Sequence, residues 1–279
     1  MAKISNAFDT YSAQADREEL SDIIYNISPM QTPFLSSVGK SNVSNVVFDW
    51  QTESLPTPSS SGKLEGFELS RSASTATVRE SNVCMISSRD ATVTGSQEAS
   101  DAAGKNSEMA HQLALMSKAL KRDMEEALVG NIAKVSGSAS AARQTRSLET
   151  WYQSNVNKAS DGANGSASSA RTNGTRRDLT EAMVKDVQQQ CFSNGAEPSI
   201  LMCGPYNKSV ISGFTGRSQA RQFVDANVVE ASVSIYSGDF GELRVVPSNR
   251  SREQAVHLLD PEFAGVAYLR DFETIDIST

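Results

Sequence analysis

Hydrophobic and polar positions divide the chain into stretches of different period. Leu20, Ile23, Ile24 and Ile27 recur at helical spacing behind Asp16-Arg17-Glu18-Glu19, where a short acceptor precedes a carboxylate by three residues in the order of a capping box. This predicts a short amphipathic helix, stopped by Pro29 and Pro33 because proline removes a backbone donor and disfavours helix in the residue before it. Residues 1–15 are polar and aperiodic and read as an extended arm. Residues 43–50, VSNVVFDW, read as a strand, and QTESLPTPSSSGKLEG at 51–66 reads as a polar tip. Residues 67–94 form an extended stretch rich in threonine and valine. Together they predict a long hairpin whose outer half is too polar to hold a core of its own, and isolated hairpins are marginal in water. The hairpin either lies free on the surface or becomes ordered against another chain. The terminal helix docks either on its own domain or on a neighbour.

The strongest helical signal follows. Between Ser96 and Val129 there is no proline, and Met109, Leu113, Met116, Leu120, Met124 and Leu128 fall three or four residues apart, interleaved with alanines. Thr94 and Gln97 have capping-box spacing, and Gly130-Asn131 is a plausible stop. A single helix over about 95–132 would be roughly 50 Å long at about 1.5 Å per residue, with Gly104 a place to bend it. The first half is the more polar, so only the second half need face a core. The stripe is too short and too poor in flanking charge for a coiled coil. Residues 136–177 shift to Ser, Gly, Ala and Asn and predict an exposed loop, anchored by LETWYQ (148–153) as a short strand.

From Asp178 the periods alternate. Asp178 and Glu181 suggest another capping box; Leu179, Met183, Val187 and Cys191 share a helical face, and Gly195 ends that helix. SILMCG (199–204) reads as a buried strand, Gly204-Pro205 as the start of a further helix, and Gly238-Asp239 as the turn of a hairpin between VVEASVSIYS and FGELRVVP. AVHLLD and AGVAYLRDF supply two more strands. The class is α+β, with antiparallel strands and a few helices.

Composition narrows the function. With 279 residues the chain can fill one large domain or two modest ones, and 38% hydrophobic against 21% charged residues excludes a disordered chain. No run approaches the roughly 18 apolar residues of a membrane span, and the first residues lack the apolar stretch of a secretory signal, so cytoplasmic synthesis and no membrane partner are expected. Cys84, Cys191 and Cys203 stand far apart without metal-site pairing and read as buried thiols; His111 and His257 read as structural. A net charge of −7 argues against a dedicated DNA-binding face. There is no GxSxG elbow, HExxH pair or Walker loop, so no catalytic residue, cofactor or metal is assigned. Lys63 at the hairpin tip reads as a solvated lysine; a covalent link to a neighbour's asparagine is the other reading open to it.

Several segments stand in a telling order: NISPMQTPFLSSVG (26–39), VFDWQTESL (47–55), Glu65-Gly66, VTGSQEA (93–99), LKRDMEEALVGN (120–131) and YSGDFGELRVVPSNR (236–250), then LDPEF (259–263) and YLRDF (268–272). In that order the chain resembles the major capsid proteins of tailed bacteriophages, whose coat fold is called the Hong Kong ninety-seven type, and in particular a subfamily without a scaffold-like N-terminal extension. The resemblance implies an N-terminal arm (1–40), an extended loop with the first peripheral-domain strands (41–90), and a peripheral domain (91–177) holding the spine helix. It further implies an axial domain (178–235), whose loops near 212–226 point to the capsomer axis, and strands returning to the peripheral domain (236–279). It implies self-assembly into pentamers and hexamers of an icosahedral shell, built in the host bacterial cytoplasm around double-stranded DNA that is enclosed without sequence-specific binding. Portal protein, and scaffold or decoration proteins, are the further partners implied. The contacts between subunits are expected at Ile23, Ile24 and Ile27 on the arm helix, at Phe34 and Leu35 after it, and at Leu64, Glu65 and Phe67 near the hairpin tip. Relatives commonly continue past the YLRDF-like strand into another, whereas here the sequence runs only to Thr279, so a last strand is either dispensable or supplied from elsewhere. A tail-tube, decoration or surface-layer subunit would share the arms but not the long helix between hairpin and α+β region. A hydrolase with an unrecognised serine is the remaining alternative.

Overall fold

A computed structural model describes residues 31–68, 74–100, 104–214 and 234–277. In chain order the elements are α1 (Pro33–Ser37), β1 (Gly39–Asn42), β2 (Val47–Thr52), β3 (Val78–Val83), α2 (Gly95–Ala99), α3 (Glu108–Val129), α4 (Leu148–Trp151) and α5 (Glu181–Ser193). They continue with β4 (Ile200–Cys203), α6 (Pro205–Ser212), β5 (Ile235–Gly238), β6 (Gly241–Pro247), β7 (Val256–Leu259) and β8 (Gly265–Tyr268). The α+β class therefore holds. Among the described residues, 89–100 and 104–120 belong to one compact unit and the others to a second. The expected arm helix with Ile23, Ile24 and Ile27, and most of the expected axis-pointing loop, lie outside the described residues.

The second unit is organised by a four-stranded sheet in the order β5-β6-β4-β7. Successive residues of β4 point to opposite faces, as the period of two requires. Met202 packs with Leu259, Val129, Val266 and the α1 residues Phe34 and Leu35. Leu201 and Cys203 pack with Leu243, Val245, Tyr236, Val184 of α5 and Ile211 of α6. Each fully buried large apolar side chain contributes about 1.5–3 kcal/mol. The expected antiparallel sheet is instead mixed: β4 runs parallel to β6, and β1 parallel to β8. Helix α6 follows β4 directly and begins the crossover that a parallel neighbour needs.

The single long helix is divided. Helix α2 is closed by Ser100, whose backbone is extended, Gly104 takes a left-handed φ of +78°, and α3 spans 22 residues, about 33 Å. A new helix start needs new acceptors for its first amides. Ser107 Oγ accepts the Ala110 N–H at 3.1 Å, and Glu98 accepts the Met109 N–H at 2.9 Å and the Ser107 hydroxyl at 2.7 Å. The Ser107 and Met109 donors hold the Glu98 carboxyl below its ordinary value. The core-facing part of α3 is its second half, as expected, with Met124, Leu128 and Val129 in the core.

Other expectations shift. Pro33 opens α1, because a first-turn amide has no intrahelical acceptor to lose, while the helix it was expected to end lies outside the described residues. Neither Thr94 nor Thr180, the residues preceding α2 and α5, makes a side-chain cap, and α5 starts at Glu181 instead of Asp178. Its buried face is Val184, Gln188 and Cys191, one position away from Met183 and Val187. A glutamine breaks the apolar stripe, yet Gln188 is buried because its amide donates to the Gly241 carbonyl at 3.1 Å. The β5–β6 turn residues are Asp239 and Phe240, since Gly238 pairs with Gly241. Among the described residues of 67–94, strand character is confined to β3, where β2 offers a partner. Cys84 is only partly buried, whereas Cys191 and Cys203 are buried.

The Ser/Gly-rich stretch is no exposed loop throughout, and the first four residues of LETWYQ form the helical turn α4 instead of a strand. Arg146, Ser147, Glu149 and Thr150 are buried. Side chains substitute for the missing sheet ladder: Asn131 binds both the N–H and the carbonyl of Arg171 at 2.7 Å, and Gln153 donates to the Gly165 carbonyl at 2.5 Å. Gly165 is needed for close approach, because a Cβ there would sit 2.9 Å from the Thr150 Cα. Gly165→Ala should therefore cost about 1–3 kcal/mol through forced backbone displacement, read as a lowered urea midpoint.

Candidate assembly surface

Strands β2 and β3 pair antiparallel from Val47 opposite Val83 to Thr52 opposite Val78. Their roots are fixed to the body of the second unit. Phe48 and Trp50, two residues apart on one strand face, stack at 5.8 Å, and Trp50 meets Trp151 at 5.4 Å. The Arg146 guanidinium lies 3.7 Å from the Trp151 ring centroid, a cation–π contact. It donates to the Thr150 carbonyl at 2.6 Å, while the Arg146 backbone N–H donates to Asn82 Oδ1 at 3.0 Å. Lys134 Nζ donates to Ser81 Oγ at 2.5 Å. Burial pushes the Arg146 guanidinium below its ordinary value, opposed by the Glu80 carboxylate. Across the strand pair, Asp49 and Arg79 form an exposed ion pair.

Beyond Thr52 the described chain leaves the ladder, and its side chains face solvent. Leu64 is 87% and Phe67 47% exposed. Glu65 is exposed and forms a turn with Gly66, in which the Phe67 N–H donates to the Leu64 carbonyl at 3.0 Å. Lys63 Nζ lies 4.8 Å from the Phe67 ring. The hairpin thus joins a clamped root to a tip with apolar groups and no core beneath them.

The chain enters the second unit at α1, which is also clamped. Glu125 of α3 is fully buried; Oε1 accepts the Phe34 N–H at 2.8 Å and Oε2 the Leu35 N–H at 2.9 Å. Burial raises the Glu125 carboxyl above its ordinary value, opposed by these two donors. Phe34 and Leu35 themselves are 6% and 8% exposed. Two of the expected contact residues therefore lie in this subunit's own core, which they reach because α1 is pinned by Glu125. Leu64, Glu65 and Phe67 are displayed at the surface, and Ile23, Ile24 and Ile27 lie outside the described residues.

Sequence reasoning passed over Glu125, Arg146 and Trp151. A signal existed for the first: Glu125 lies one helical turn before Val129, so an acid interrupts the face that enters the core. For Arg146 and Trp151 the Ser/Gly-rich surroundings concealed any periodicity.

The ionisable groups of the core are structural in placement. Arg252 donates to Glu149 at 2.8 Å, yet burial still holds the Glu149 carboxyl above its ordinary value, opposed by Arg252 and Arg171. The Tyr152 hydroxyl and His257 Nδ1 are 3.3 Å apart, and burial depresses the His257 pKa to about 4. Burial pushes the Cys203 thiol up to about 11. Glu149 and His257 are closed off from solvent in the packed interior. No group of three or more His, Cys, Asp or Glu that could hold a metal ion occurs among the described residues. No helix among them is long and apolar enough to cross a membrane.

The major capsid protein of Escherichia phage Phieco32 is 24% identical over 247 residues, covering 76% of this chain and 70% of that protein. The model of the SU10 major capsid protein family matches residues 3–279. With that match extending over nearly its whole length, the chain belongs to the SU10 major capsid protein family and is a structural phage coat subunit, not an enzyme.

Proposed function

We propose that copies of this chain close into pentamers and hexamers that tile an icosahedral shell around double-stranded DNA, and that the hairpin from 47 to 83 is the principal arm by which one subunit holds the next. The observation that supports this most is the contrast along the hairpin. Its root is bound by Trp151, Arg146 and Lys134, while Leu64 and Phe67 stand exposed on a turn. A fixed lever with an apolar end suits a heterologous contact, which closes into rings when each subunit repeats it. Many such contacts add up, and obligate interfaces commonly bury roughly 2,000–5,000 Å².

On this reading the fold is of the Hong Kong ninety-seven type. Residues 1–40 form the arm, 41–90 the extended loop and first peripheral strands, and 91–177 the peripheral domain, with α3 in the place of the spine helix. Residues 178–235 form the axial domain and 236–279 the returning strands. Ile23, Ile24 and Ile27 contact a neighbour, as do Leu64, Glu65 and Phe67. Phe34 and Leu35 serve by seating the arm's root. A net charge of −7 is compatible with enclosing DNA as a wall that does not bind sequence, since phosphate affinity would need a clustered basic face. Assembly would take place in the host bacterial cytoplasm, with portal protein, and scaffold or decoration proteins, as further partners.

The test is the double substitution Leu64→Ser with Phe67→Ser. Subunit stability should change by no more than about 0.5 kcal/mol, as for ordinary surface changes. The yield of shells measured by sedimentation should fall at least about tenfold, equivalent to about 1.4 kcal/mol of lost contact. Unchanged shell yield would remove the tip from the interface.

A further inference from the structure

We propose that residues 273–277 are a donor strand that adds to the outer edge of β1 in a neighbouring copy, a contact that rests on the coat-subunit reading above. The acceptor is an incomplete sheet. β1 and β8 pair parallel as a sheet of only two strands, and every residue of β1 is exposed. Parallel strands ordinarily occur in larger, covered sheets, and a two-stranded ribbon is marginal by itself. The Gly39 and Val43 amides donate to the Ala264 and Tyr268 carbonyls at 3.3 and 2.9 Å. Because a parallel strand bonds to alternate sides, the amides and carbonyls of Lys40 and Asn42 face the opposite edge, where no described strand stands.

The donor follows β8 after four residues, Leu269 to Phe272. Within Glu273-Thr274-Ile275-Asp276-Ile277 the last four residues alternate polar and apolar as in a strand, yet the segment pairs with no described strand. Ile275 is 71% and Ile277 82% exposed. The root of this segment is tethered, with the Lys121 ammonium 5.9 Å from the Phe272 ring. An exposed alternating segment and an open sheet edge on the same chain invite uncontrolled pairing, a hazard multiplied in a protein made in many copies. A shell that uses the strand removes the hazard, through the same strand addition by which extended peptides join sheet edges.

Two observations select a second copy as the occupant. The outer edge of β1 lies beyond both strands of its own sheet, and a crossover that returns parallel to β8 takes roughly a dozen residues. Here only four are available. The charges also match: residues 271–277 carry Asp271, Glu273 and Asp276 with no base, while residues 39–46 carry Lys40 with no acid.

The experiment assembles shells from an equal mixture of ordinary and heavy-isotope-labelled protein and joins neighbouring amines and carboxylates with a carbodiimide. Mass spectrometry should find Lys40 linked to Glu273 or Asp276, with mixed-isotope pairs as frequent as matched ones. Links found only in matched pairs, or ordinary shells with Lys40 unlinked, would overturn this contact alone. Failure of the wild-type chain to form shells would overturn the coat reading together with it. A second arm uses Ile275→Asp with Ile277→Asp. The subunit's melting temperature should hold while shell yield falls at least about tenfold. An unchanged yield, or a subunit that itself loses stability, would overturn the proposal.

Discussion

Replacing Arg252 with alanine is expected to destabilise the subunit by about 2–4 kcal/mol at neutral pH. Removing one member of a buried ion pair commonly costs about 3–5 kcal/mol, because it leaves the other charge unpaired. The lower figure reflects Arg252's own partial exposure, 29% of its side chain against 2% for Glu149, and the nearby positive charge of Arg171. Burial already raises the Glu149 carboxyl, and loss of Arg252 raises it further. A carboxyl raised in the folded state stabilises below its ordinary pKa and loses that contribution as pH rises through the folded value. The penalty should therefore be small near the ordinary carboxyl range and grow toward neutral pH, as seen in urea titrations at a series of pH values. Adding Glu149→Gln should recover most of the loss at neutral pH, because the unpaired charge goes with it. A penalty independent of pH and unrelieved by Glu149→Gln would show that Arg252 acts through packing alone.

Glu125→Ala should cost about 2–3 kcal/mol. The carboxylate satisfies two buried amides, and each orphaned buried donor costs about 1–3 kcal/mol, partly offset by relief from burying an acid. The pH trend runs opposite to that of Arg252→Ala. Wild-type Glu125 has a raised carboxyl, so its contribution is greatest at acid pH and declines as pH rises through the folded value. Alanine abolishes that dependence, and the penalty should shrink from acid toward neutral pH. Because Glu125 holds Phe34 and Leu35, the variant should also loosen the attachment of the proposed N-terminal arm, lowering shell yield beyond what the stability loss alone explains. A yield that tracks stability without excess would separate the arm from the clamp.

His257 acts against both carboxyls. Its folded pKa of about 4 lies below the ordinary histidine value, so its contribution is present above about 6.5 and is lost as pH falls through that range. Among these three buried groups, the histidine therefore opposes the two glutamates on the acid side of the stability curve.

Elements with a single clear period were legible from the sequence. β4 appeared where SILMCG predicted a buried strand, α6 began with Pro205 at its first position, and Gly195 followed α5 with a φ of +79°. What resisted reading was structure held by polar side chains. Residues 131–177 have no apolar period because Asn131, Gln153, Ser147 and Arg146 do the work of a ladder through side-chain-to-backbone bonds, which leave no periodic trace. Parallel pairing was equally hidden: β1 reads as GKSN, wholly exposed and polar, and it is a strand because β8 lies beside it. The break of the long helix was half visible, since Gly104 marked the place, but the renewed start depended on Glu98 reaching across to Ser107 and Met109. Of the expected contact residues, Leu64, Glu65 and Phe67 lie in a stretch too polar to fold on itself, whereas Phe34 and Leu35 could be assigned to the interior only once Glu125 was seen beneath them.

The central claim is that the chain closes into shells through contacts between identical copies. Its most direct test is to express the chain alone and examine it by sedimentation velocity together with negative-stain electron microscopy. Closed shells, or rings of five and six subunits, are the predicted result. A monomer that stays unchanged as its concentration is raised, and that remains so when co-expressed with the products of neighbouring genes, would contradict the account.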